Sequence, residues 1–144
     1  MKRNLITILS LVVMSLMFNA TGAYAQSFAK ADVPFAFNVG TAQLPAGTYE
    51  VKVLSSSPYE IMIQNHQTSA AAVASARREG SRDAESKLVF HRIANQYFLT
   101  EVWKGSEAGR MIVPTSRHER ELTKELRLAK GPSSASENVT IALK

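Results

Sequence analysis

The chain has 144 residues, a formal net charge of +5, 45% hydrophobic residues and no cysteine. That length supplies one ordinary core. The missing thiol excludes disulfide staples and lipid attachment at a processed N-terminal cysteine, so stability has to come from burial alone.

Lys2 and Arg3 precede an apolar run from Leu5 to Phe18, and small residues then end in Ala23-Tyr24-Ala25. This is the order of a secretory signal peptide, residues 1–25, with an A-x-A cleavage site. A membrane-spanning helix needs about 20 apolar residues, whereas this run is shorter and interrupted by Thr7, Ser10 and Ser15. Asn4 after the Lys-Arg pair gives no twin-arginine motif, so the general secretory route is expected. Cleavage leaves one domain, residues 26–144, with no transmembrane anchor: a protein of the periplasm or the extracellular space, soluble or held at the envelope by a partner. The leader carries two of the 17 basic residues and none of the 12 acidic ones, so the mature charge is +3, from 15 bases against 12 acids. So small an excess names no partner.

Alternation dominates the mature chain. In VPFAFNV, residues Val33, Phe35, Phe37 and Val39 share one face, a period-two strand with Pro34 near its start or on an edge. TAQLPAG then turns the chain, with Pro45 presetting φ and Gly47 free to take φ > 0. Thr48 to Leu54 resumes as a strand with Tyr49, Val51 and Val53 inward. Further strands are expected over Tyr59 to Gln64 and, after a polar turn, Ala70 to Arg77. The latter is alanine-rich, but it lacks helical apolar spacing. Glu79 to Ser86 is charged and reads as a solvent loop. Lys87 to Ile93 and Gln96 to Lys104, joined by Ala94-Asn95, form the clearest hairpin. Its second arm sets Tyr97, Leu99, Glu101 and Trp103 against Phe98, Thr100 and Val102, so both faces carry aromatics. A brief strand, Arg110 to Val113, stops at Pro114.

The pattern then changes period. Ser116 stands three residues before Glu119, a capping-box spacing, and Leu122, Leu126 and Ala129 fall on one face, predicting an amphipathic helix over 117–130 that ends at Gly131-Pro132. A linker from Ser133 to Glu137 leads to a last strand, Asn138 to Leu143.

Motifs of catalysis are missing. His66, His91 and His118 are 25 and 27 residues apart, and the second ligand position after His118-Glu119 holds Leu122, so no zincin motif forms. Gly105-Ser106 fails the G-x-S-x-G elbow, and neither a P-loop nor G-x-G-x-x-G occurs. Paired carboxylates would require residues such as Glu60 and Glu101 to converge. Arg77, Arg78, Arg82 and Lys87 are interrupted by Glu79, Asp83 and Glu85, a self-paired solvent loop more than a nucleic-acid surface. No cofactor is implied. Tyr97 and Trp103, on one face of one strand by simple alternation, form the single aromatic pair with the character of a glycan or partner platform.

The segments VPFAFNVG, LPAGTYEV, KLVFHR with YFLTEVW, and SRHERELTKE together resemble a family of short secreted β-rich proteins of environmental, particularly acidobacterial, bacteria. The resemblance covers most of the mature chain. It implies an exported, mostly β protein and no catalytic residue or cofactor.

The expected architecture is a single antiparallel β-sandwich or partly open barrel of seven or eight short strands, with the helix inserted before the last strand. The expected function is a non-catalytic envelope or extracellular module that binds a polymer or protein partner and no nucleic acid. Two alternatives are a small secreted hydrolase and a self-associating subunit that exchanges its last strand.

Overall fold

The computed structural model describes residues 29–56, 59–80, 85–105, 109–130 and 137–144. The expected leader, the Gly131-Pro132 helix stop, the linker up to residue 136, most of the charged loop after Gly80 and Ser106 lie outside them. Among the described residues there are ten strands and one helix.

β1 (Ala29–Val33), β4 (Gly47–Ser56), β5 (Tyr59–Gln64) and β6 (Ala71–Glu79) run antiparallel in the order β1-β4-β5-β6. β9 (Arg110–Ile112) carries the sheet from β6 to β8 (Gln96–Lys104). β7 (Ser86–Ile93) lies along the far side of β8, and β10 (Glu137–Ala142) pairs with β7. β2 (Phe37–Val39) and β3 (Ala42–Leu44) form a small hairpin held to β8 by a parallel pairing of β2. The sheet does not close as a continuous ladder. Its edges meet at one residue pair, where Lys30 and Lys144 exchange backbone hydrogen bonds of 2.9 Å. The fold is thus mainly β and partly open, with the helix before the last strand as the sequence predicts. No helix of the described residues is long and apolar enough to cross a membrane.

Two elements differ from expectation. VPFAFNV is not one strand: Pro34 offers no N–H to the β1–β4 ladder, so pairing ends at Val33 and the chain crosses to β8 through residues 34–36. Burial nevertheless keeps its period of two, with Val33, Phe37 and Val39 buried and Phe35 half-buried. TAQLPAG is more than a turn. It contains β3, reached through Gly40 at φ 58°, before Pro45-Ala46 redirects the chain into β4.

Phe37 centres the core, edge-on to Tyr49 at 5.1 Å and to Phe90 at 5.2 Å. Tyr49 is fully buried, and its hydroxyl donates to Pro45 O at 2.6 Å, fastening the turn to the strand it starts. Burial raises the Tyr49 pKa above its ordinary value against a lowering bond from Asn65. Asn65, itself buried, accepts from the N–H groups of Gln67 and Thr68, and a Cβ on Gly47 would come within 2.5 Å of Asn65 Nδ2. Glycine is required at 47 for this close approach, so the residues of LPAGTYEV serve the fold.

The β7–β8 ladder carries an irregularity that resets its faces. Phe90 pairs with Leu99 but Val89 with Glu101, leaving Thr100 as the extra residue, its Oγ1 donating to Val89 O at 3.1 Å. Leu99 and Val102 of β8 consequently both face the core, beside Leu88 and Phe90 of the regularly alternating β7. His91, Ile93 and Phe98 face outward, where helix α1 (Arg117–Lys130) covers them. Ser116 caps α1 by accepting from Glu119 N at 3.1 Å, half of the expected capping box. Leu122 and Leu126 are half-buried against the sheet, while Ala129, predicted on the same stripe, is exposed.

Candidate functional site

A concavity of about 550 Å³ lies between α1 and the end of β7. Its floor is the outer face of β7, where regular alternation with Leu88 and Phe90 turns His91 and Ile93 away from the core. Glu119 is buried, and its Oε1 lies 3.3 Å from His91 Nδ1; the Glu119 side chain is only 5% accessible and that of His91 39%. This carboxylate would complete the capping box but points instead at the sheet, which fixes the imidazole in the groove wall. His118 Nε2 lies 3.1 Å from Gln96 Oε1, and its ring rests on Phe98 at 5.9 Å, docking the first turn of the helix on the β7–β8 hairpin.

The opposite wall is basic. Arg120, Lys124 and Arg127 follow one another at i, i+4 and i+7 and all line the groove. None of the three side chains has a hydrogen-bond or ion-pair partner among the described residues, whereas Arg117, which does not line the groove, is paired with Glu121 at 2.9 Å. Thr115 and Thr123 add hydroxyls, and Leu128, 80% accessible, forms an apolar rim. Thr123 Oγ1 donates to the main-chain oxygen of Glu119 at 2.8 Å, so it is not poised as a nucleophile. Three aligned cations, an oriented histidine and an apolar rim are a lining suited to holding an extended anion.

No protein-family model, curated protein or solved structure matches the chain.

The aromatic platform expected from simple alternation does not form. Tyr97 pairs with Arg92 on the core side of the bulge and stacks on Phe35 at 3.8 Å, whereas Trp103 pairs with Lys87 on the outer face. One extra residue at Thr100 puts the two rings on opposite faces. Trp103 is also occupied: Lys87 Nζ lies 4.6 Å and the Arg110 guanidinium 5.5 Å from its ring, and its Nε1–H donates to Glu101 Oε2 at 2.7 Å.

Glu101 is clasped by Arg110 through Nε at 3.0 Å and through a second, shorter contact from a terminal nitrogen. Burial works against ionisation of Glu101, but the Arg110 and Trp103 donors outweigh it and hold the carboxyl below its usual range. His66 sits elsewhere, with Nε2 at 2.6 Å from Glu50, which Lys52 also contacts at 3.1 Å; these two partners, His66 first, lower the Glu50 pKa. His66, His91 and Glu101 thus each have a different partner, and Glu60 on β5 lies in a strand that does not neighbour β8. Among the described residues no group of three or more His, Asp or Glu side chains gathers to hold a metal.

The basic stripe does not stand out in the linear sequence, because Arg120, Lys124 and Arg127 are interleaved with Glu121 and Glu125. The i, i+4, i+7 spacing was the available signal. It separates the bases from the acids by helical angle.

Proposed function

We propose that the protein, once exported, is a non-catalytic envelope or extracellular module that holds an anionic polymer in the groove between α1 and β7. The carrying observation is the row of three side-chain cations without partners among the described residues, Arg120, Lys124 and Arg127, over a concave floor. Cations on a solvated helix commonly pair with acids at i±4, as Arg117 does with Glu121; an unpaired row beside a groove is available to a ligand. The proposed export rests on the leader pattern and on the resemblance to secreted β-rich proteins.

Retention of the purified protein on carboxylated and on neutral polysaccharide matrices tests this. Retention on the acidic matrix is expected at low salt, lost when Arg120→Gln, Lys124→Gln and Arg127→Gln are combined, and kept in Trp103→Ala. A triple variant that binds like the wild type would show the groove to be irrelevant.

Hydrolysis ranks second, favoured by one observation: buried Glu119 orients His91 as a base-orienting carboxylate would. Of the two hydroxyls that line the groove, Thr123 is committed to the helix backbone, which leaves Thr115. New reducing ends released from the bound polymer, absent in His91→Gln, would favour the enzyme over the module.

A further inference from the structure

The cationic row has a repeat, and the repeat selects among anionic ligands. We infer that the groove takes a linear acidic polysaccharide with one carboxylate per sugar, lying along α1 so that three successive carboxylates meet Arg120, Lys124 and Arg127; this rests on the anion-binding function proposed above. At about 100° and 1.5 Å per residue, the three positions fall within about 60° of arc and step about 6 Å and then about 4.5 Å along the helix axis. That is a step on the order of one ring in a chain of linked sugars.

The remaining lining fits a sugar chain better than other polyanions. Arginine at both ends of the row offers planar forks that match carboxylates bidentately, and lysine between them offers a point charge. Thr115 and Thr123 present hydroxyl oxygens to ring hydroxyls, and Leu128 offers an apolar edge to ring C–H faces. His91, held at Nδ1 by Glu119, has no hydrogen-bond partner at Nε2 among the described residues and faces the same ligand. Among the described residues no Phe, Tyr or Trp lines the groove, so these supply none of the stacking surface on which single-stranded nucleic acid depends. Polyphosphate would satisfy the cations but leave the hydroxyls and the apolar rim without partners.

Calorimetric titration of the purified protein with oligogalacturonates of one to six sugars, and with inorganic polyphosphate, tests the assignment. Affinity is expected to rise about tenfold per sugar up to three and then level off, each step reflecting one charged hydrogen-bonded contact. Arg127→Gln, at an exposed position, should move the plateau to two sugars. The logarithm of the affinity for the trimer should fall with the logarithm of salt concentration with a slope of about two to three, one counterion per cation engaged. Affinity that ignores chain length, or polyphosphate bound as tightly as the hexamer, would overturn the polysaccharide assignment and leave anion binding standing. Failure of every anionic probe would overturn both.

Discussion

Glu101 shows how a face rich in charge is occupied by its own side chains. Its carboxyl accepts from Arg110 and from the Trp103 indole, and Lys87 and Arg110 stand over the ring of that tryptophan. A carboxyl whose pKa is lowered by folding adds stability above its unfolded value, and that contribution is lost as pH falls through the folded value. Urea midpoints of the wild type should therefore drop as pH falls below the ordinary glutamate value of 4.5, and part of that drop should be missing in Glu101→Gln. Parallel pH profiles for the two proteins would show that the cluster adds nothing to folding. The candidate platform of Tyr97 and Trp103 was legible as two aromatics but not as two faces. Counting by twos fails across a bulge, and Thr100 carries no sequence mark that distinguishes it from a regular strand residue.

Elements with strong periodicity were the most legible. The Tyr59–Gln64 strand and the Arg117–Lys130 helix have their predicted bounds, because alternation in one case and a capping serine with spaced leucines in the other act locally. β3 was not legible: three residues in a segment rich in Pro and Gly carry too little pattern, and its existence depends on β2 docking on β8, a contact distant in sequence. The β7–β8 hairpin was placed correctly, yet its turn holds a penalty. Ala94 adopts φ 54°, a left-handed conformation that costs an L-residue about 1–2 kcal/mol. Ala94→Gly should stabilise the protein by about 0.5–1 kcal/mol and raise its melting temperature by about 2–5 °C in a calorimetric scan. An unchanged or lower value would mean that the turn relaxes without cost in solution.

At the scale of the molecule, the fold depends on its last described strand. β10 pairs with β7 over six residues, lays Val139 and Ile141 against the core, and leads to the Lys30–Lys144 seam. Here it pairs with β7 of its own chain, and the exchanged arrangement considered from sequence remains a proposal about self-association. Deleting residues 137–144 should expose core beside Leu88 and Phe90, increase binding of a hydrophobic dye several-fold and flatten the urea transition. Added synthetic peptide of the deleted segment should reverse both effects if the edge of β7 accepts a strand from another molecule. A truncated protein that unfolds as sharply as the full chain would remove β10 from the cooperative unit. The groove was less legible than this core. Its floor depends on α1 folding back over β7, a contact distant in sequence, and its cations share a helix with acids that only the three-dimensional angle separates.

The Lys30–Lys144 seam has a consequence for the timing of folding. Two residues far apart in the sequence must find one another before the perimeter of the described sheet is complete, a contact of high sequence separation. The seam therefore forms late, after the local hairpins on either side of it.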